Sequence, residues 1–247
     1  MSNSETGALV TEVDFGGTAW GALEVGDVIL SIDGHEVAND RTVALTGMPR
    51  VDLACYIQSK QVGSKVDLYV LHAGEHAHRQ ATLKERKELV PGFRYDSPPT
   101  YMVFGGLVFQ PLDITYLRRL KEIPGVLDRY AWNANIVTPE RQQVILINKV
   151  LADQVNQGYQ DWVYEIVSTV EGVVPRDMAH LASIIDEAQG PWLRIRSEDN
   201  WMMALDLAAA RRATPVIVAK YGIHDDRSED LRLAAKPNQA VARGNVD

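Results

Sequence analysis

Residues 23–37 read LEVGDVILSIDGHEV. Val28, Leu30 and Ile32 alternate with Ile29, Ser31 and Asp33, the period-two pattern of a half-buried strand. Gly26-Asp27 opens the run and Asp33-Gly34 closes it. Asp-Gly is a strong tight-turn dipeptide, because glycine takes the positive φ that a residue with a Cβ resists. His35-Glu36-Val37 then begins a second strand, so the stretch predicts strand, turn, strand.

Working outward, residues 7–13 (GALVTEV) alternate as a strand, 14–17 turn, and 18–23 (TAWGAL) form a short helix or tight bend. After Pro49, apolar residues recur at helical spacing through residues 51–58, and proline favours a helix start. Residues 66–70 predict a strand, 72–75 a turn, and 78–83 a returning strand. Residues 91–100 (PGFRYDSPPT) carry the proline, glycine and polar signature of a linker.

The pattern restarts at residues 101–110 (YMVFGGLVFQ), two apolar runs around two glycines. A helix is expected over 112–120, irregular chain over 124–139, and strands over 144–150 and 163–170. Met178, Leu181, Ile184 and Ile185 recur at helical spacing over 178–188. A hairpin spans 192–195 and 201–205, and a helix followed by a strand spans 207–219. The polar tail, 234–247, is expected to be disordered. The halves share an order, with Glu171-Gly172 in the place of Asp33-Gly34, and predict a diverged tandem of one fold.

The 247 residues suffice for two ordinary domains, and a hydrophobic share of 46% with 23% charged is that of a globular protein. The net charge of −8 argues against nucleic-acid binding, which rests on Lys and Arg neutralising phosphates. No segment approaches a membrane span, and the first residues carry neither the basic nor the apolar region of a secretory signal. A soluble protein, cytoplasmic by default, is expected. The one cysteine, Cys55, excludes an intrachain disulfide and sits where a small buried hydrophobe is expected.

The phrase G-D-V-I-L-S-I-D-G-H-E-V resembles the core hairpin of a PDZ domain, above all in HtrA/Deg serine proteases. The run V-L-H-A-G-E-H is similar to the final hairpin of their first PDZ domain. P-P-T-Y-M-V-F-G-G-L-V-F-Q-P-L, V-I-L-I-N-K-V-L-A-D-Q-V-N-Q-G-Y and Y-G-I-H-D-D-R-S-E-D-L resemble the second PDZ region of the Deg branch. The resemblance implies an α+β, mostly β fold. It comprises two PDZ-like domains, each a partly open barrel or sandwich with two helices, over residues 1–90 and 101–233. The family's chemistry is peptide hydrolysis by a Ser/His/Asp triad whose serine stands in G-N-S-G-G. No serine here precedes Gly-Gly, so no catalytic residue is assigned. The expected role is a non-catalytic module that binds peptide segments or protein C-termini and assembles as a homo-oligomer, without cofactor or metal. The alternatives are a truncated record of a full serine endopeptidase and a stand-alone adaptor.

A PDZ domain holds a peptide between an edge strand and a helix, its carboxylate on the backbone N–H groups of a glycine-bearing loop. By the resemblance, Gly105 and Gly106 form that loop, Leu107, Val108 and Phe109 the pairing strand, and His180, Leu181, Ile184 and Ile185 the helical wall. The same residues equally make an ordinary core: a glycine bend and a buried helix. In the first half, the loop and edge strand would precede residues 7–13, where only MSNSET stands. That groove is expected to lack a wall and to bind no peptide C-terminus in the usual way. The histidines at 72, 76 and 78 with Glu75, and the acidic run at 225–230, are expected to be solvated rather than metal-binding.

Overall fold

The structure, a computed structural model, describes residues 5–45, 47, 49–93, 98–132 and 136–234. The tail expected to be disordered lies outside these residues from position 235 onward, as do positions 1–4. Two compact units divide the chain, Met1–Lys87 and Glu88–Asp247. Just before the expected linker, Leu89 and Val90 are buried, and the Pro91 carbonyl accepts from Ile114 N–H inside the second unit; residues 94–97 lie outside the described residues.

The first unit contains β1 (Ala8–Leu9), β2 (Val28–Ile32), β3 (His35–Glu36), β4 (Thr42–Val43) and β5 (Val51–Asp52). After these come α1 (Leu53–Gln58), β6 (Lys65–His72) and β7 (Glu75–Thr82). Its main sheet runs β1-β2-β6-β7, all antiparallel, with β3 hairpinned to β2. Ile32, Val37, Val43 and Val70 are fully buried in its core, as the alternating pattern requires. The Asp33-Gly34 turn has φ of 49° and 79°. Its carboxylate is tied down by Lys60 Nζ at 2.8 Å, Tyr56 Oη at 3.0 Å and the Asp67 N–H at 2.9 Å.

The second unit contains β8 (Met102–Phe104), β9 (Leu107–Pro111), α2 (Ile114–Leu117), α3 (Gly125–Trp132) and β10 (Ile145–Val150). A 3-10 turn (Gln154–Asn156) leads to β11 (Glu165–Val170), α4 (Met178–Glu187), β12 (Trp192–Ser197), β13 (Met202–Asp206) and α5 (Leu207–Lys220). One antiparallel sheet runs β13-β12-β11-β10-β9-β8. Asp52, Asp113, Asp153, Asp177 and Asp206 each cap a helix by accepting a backbone N–H of its first turn.

The units repeat one plan. β7-β6-β2-β1 corresponds in order to β13-β12-β11-β10. β2 and β11 each carry a register shift, and the turns after them have nearly the same φ: 49° and 79° at Asp33-Gly34, 50° and 79° at Glu171-Gly172. The second sheet then continues with β9 and β8. Among the described residues the first sheet has no counterpart of either. The helices differ accordingly: α4 buries Met178, Leu181, Ala182 and Ile185, whereas α1 buries none of its residues. Cys55, expected to be buried, is exposed, because α1 turns Leu53, Tyr56 and Ile57 toward the core instead.

Two further expectations are corrected. Residues 207–220 form one helix rather than a helix and a strand, although Pro215 and Val216-Ile217-Val218 favour a break. Leu207, Ala210, Thr214, Ile217 and Val218 fall on its buried face, and that packing decides. Residues 125–132, expected to be irregular, form α3, held from outside itself: Glu198, beside the β12–β13 turn, takes Arg129, the Tyr130 hydroxyl at 2.6 Å and Arg141 at 2.7 Å.

Candidate functional site

The Gly105-Gly106 dipeptide forms the tight turn of the β8–β9 hairpin, with φ of 56° and 85°. Both glycines are buried. The Gly105 N–H donates to Thr214 Oγ1 of α5 at 2.9 Å. The Gly105 carbonyl accepts from Asn156 Nδ2 at 2.8 Å, and the Gly106 carbonyl from Leu151 N–H at 2.7 Å. A Cβ on Gly106 would lie 2.3 Å from Asn156 Nδ2 and 2.4 Å from the Leu151 carbonyl. The glycines therefore permit a close approach of backbone to backbone. They do not leave an open nest for a carboxylate, and the expected carboxylate loop is corrected on this point.

The pairing strand is corrected too. β9 is flanked on one side by β10 and on the other by β8, so Leu107, Val108 and Phe109 have no free edge. Leu107 and Phe109 are fully buried and share a core with Leu181 and Ile185 of α4. His180 and Ile184 are half-buried; His180 Nδ1 accepts from the Arg176 N–H at 3.1 Å. The fold thus brings the helical wall against β9, but as core packing.

The edge strand on this side is β8, and its outer edge is already met by the chain itself. Val103 N–H donates to the Asp226 carbonyl at 2.6 Å, Ser228 N–H donates to the Tyr101 carbonyl at 3.0 Å, and Met102 bridges Arg227 in antiparallel sense. Arg227 also reaches α4, gripping Asp186 with Nη1 at 2.7 Å and Nη2 at 3.0 Å. These bonds to Asp186 hold the guanidinium pKa above its ordinary value against the opposing effect of burial. The segment 226–228 therefore lies extended along an edge strand and is clamped to a neighbouring helix. Beside it opens a cavity of about 490 Å³ lined by Phe104, Arg211, Thr214, Val218, Ile223 and Arg227. The acidic run expected to be solvated is, at Arg227 and Ser228, packed against the sheet.

Asn156 and Thr214 were not singled out from sequence, and residues 226–228 were read only as part of a family phrase and a solvated acidic run. The spacing Asp153-x-x-Asn156 was the available signal for the first, since it forms a capping box. Nothing local marks Thr214 or shows that 226–228 meets a sheet edge.

This geometry, an extended segment added to a sheet edge beside a helix, is that of a peptide-binding domain. A family profile for the PDZ domain matches residues 90–230, more than half of the chain, and the chain belongs to that family. It is 31% identical over 226 residues to Protease Do-like 2, chloroplastic, of Arabidopsis thaliana, covering 91% of this chain and 37% of that protein. It is 30% identical over 232 residues to Protease Do-like 4, mitochondrial, of the same plant, covering 94% and 43%. Against the Serine protease DegP homolog of Plasmodium falciparum the identity is 21% over 164 residues, covering 66% and 18%. The chain is thus a PDZ region related to those of the Do-like, or HtrA/Deg, proteases, and a protein-interaction module. It spans less than half the length of the curated relatives it matches. Relatives named as chloroplastic and mitochondrial do not support the cytoplasmic default. Among the described residues no helix is long and apolar enough to cross a membrane.

Proposed function

We propose that the second unit recognises peptide segments by strand addition to β8, and that residues 226–228 hold that edge in the absence of a ligand. The observation that carries this is the position of 226–228, between the β8 edge and Asp186 of α4. PDZ domains take peptide C-termini in this manner. The first unit has no counterpart of β8 and β9 among the described residues and is the scaffold of the pair. The setting is a Do-like protease: a longer polypeptide with a serine endopeptidase domain, in a plastid or mitochondrion as its relatives are named, with a stand-alone adaptor as the alternative. Self-association is a second reading. Trp192, Trp201 and Met202, all exposed on the β12–β13 hairpin, favour it; light scattering of the purified chain tests it.

The peptide reading is tested by fluorescence anisotropy with a labelled hexapeptide ending in Leu-Val. The full chain is compared with its Arg227→Ala and Asp186→Asn variants. Releasing a competing internal segment raises apparent affinity by the fraction of open state gained, here expected to be about tenfold. Both variants are expected to bind more tightly, with the peptide protecting the Val103 amide from exchange. Unchanged or weaker binding, or protection elsewhere, overturns it.

A further inference from the structure

The first unit contains a cavity of about 630 Å³ lined in part by Arg79 of β7, an edge strand of its sheet. Val13, Leu23 and the exposed Trp20 and Val25 give it an apolar wall and rim. Trp20 is set edge-on against Phe15, with ring centroids 4.9 Å apart, so its indole is positioned rather than free. His72 and Arg79 supply polar groups on the same wall.

These two residues are prepared differently. Asp27 is only 3% exposed, and both of its oxygens are committed: Oδ2 accepts from the Glu24 N–H at 2.9 Å, and Oδ1 lies 2.7 Å from His72 Nδ1. Burial pushes the Asp27 carboxyl pKa up, but the Glu24 amide and His72 outweigh it, and the net shift is downward. A carboxylate on Nδ1 fixes the ring orientation and turns Nε2 away from itself. Arg79 lies in the row of β7 with Ala77 and buried Ala81, and its charge is felt by Asp27. Among the described residues it makes no hydrogen bond or ion pair. Glu24, the other acid on the wall, and Arg79 are both exposed, so solvent screens both charges.

We propose that this cavity binds a carboxylate carried on an apolar body. The apolar part rests on Trp20, Leu23 and Val25, and the carboxylate meets Arg79 in the paired geometry that guanidinium favours. His72 Nε2 lies on the same wall as a second polar contact. A neutral apolar ligand would leave the exposed Arg79 to water, whereas a carboxylate replaces that water with a charge-assisted bond. The volume is within the range of small-ligand sites. The site is independent of β8 and of segment 226–228.

The test is an amide and indole NMR titration of the full chain with four probes: N-acetyl-L-leucine, hexanoate, and their uncharged counterparts N-acetyl-L-leucinamide and hexanol. The Trp20 indole signal is assigned by its loss in Trp20→Phe. A saturable shift of the Trp20 and His72 signals with at least one acid is expected. The matching uncharged probe should bind about tenfold more weakly, the loss of one charge-assisted contact. The better acid tells whether a peptide terminus or a free acid is the natural source. Arg79→Gln should lower the acid to the level of its uncharged counterpart, and Arg79→Lys, which keeps the charge but not the paired geometry, should restore only part of the difference. Arg79 is exposed, and an unchanged amide spectrum away from the cavity confirms that the variants fold. The proposal is overturned by the absence of a saturable shift at Trp20, by equal binding of acid and uncharged probe, or by an Arg79→Gln variant that binds as the parent does.

Discussion

Replacing Gly106 by alanine separates a packed hairpin from an open ligand loop. An alanine at a φ of 85° carries backbone strain of about 1–2 kcal/mol wherever it stands. At Gly106 the new Cβ also falls 2.3 Å from Asn156 Nδ2 and 2.4 Å from the Leu151 carbonyl. Asn156 is fully buried and donates to both the Gly105 and Leu151 carbonyls at 2.8 Å. Displacing it leaves buried carbonyls without donors, at about 1–3 kcal/mol each. The expected loss for Gly106→Ala is about 4 kcal/mol. Gly105→Ala, whose Cβ meets the side chains of buried Leu205 and Ala210 at 3.0 and 3.1 Å, should lose about 2 kcal/mol, since these neighbours must give by a few tenths of an ångström. Gly172→Ala in the same unit is the control. Its φ is 79° but nothing lies within 4 Å of the new Cβ, so strain alone applies and about 1 kcal/mol is expected. Urea unfolding followed by tryptophan fluorescence and circular dichroism gives the three values. A Gly106→Ala loss equal to that of Gly172→Ala would refute the buried hairpin and return the glycines to an open loop.

Three further outcomes are expected. Burial pushes the Asp33 carboxyl pKa up, but Lys60, the Asp67 amide and Tyr56 outweigh it, so its folded value is depressed. A depressed carboxyl pKa stabilises the fold above the unfolded value, near about 3.9, and that stability is lost as pH falls through the folded value. The first unit should therefore weaken below about pH 4, and Asp33→Asn should lower stability at neutral pH and flatten that acid loss in a urea titration against pH. Ser197 is 2% exposed with a hydroxyl that has no partner among the described residues, so Ser197→Ala should be neutral or stabilising by up to about 1 kcal/mol; a clear destabilisation in the same assay would contradict this. C-terminal peptides titrated against residues 1–87 should show no micromolar strand-addition binding, and calorimetric detection of such binding would defeat the scaffold reading.

Local alternation and turn chemistry carried most of the strand plan. β2, the Asp33-Gly34 turn, β10, β11, α4 and the β12–β13 hairpin all follow patterns readable within a few residues. The candidate site was less legible. Gly105-Gly106 was readable as a glycine turn, yet a carboxylate nest and a type of tight hairpin place glycine in the same backbone region. What distinguishes them is Thr214 and Asn156, respectively 109 and 51 residues away from Gly105 in the chain. α3 was missed because its partner, Glu198, is 68 residues from Tyr130.

The stretch LEVGDVILSIDGHEV by itself determined a strand and a positive-φ turn, because period and turn geometry are local properties of the chain; the family was read from its resemblance together with the phrases of the second half. Which strand forms the edge of the second sheet was not a local property. β9 became an interior strand through pairing with both β10 and β8, and the outer edge of β8 is met by residues 226–228. Backbone N–H and C=O groups are the same in every residue, so a sequence marks where a strand forms but not whose hydrogen bonds satisfy it. That assignment was made only when distant segments met.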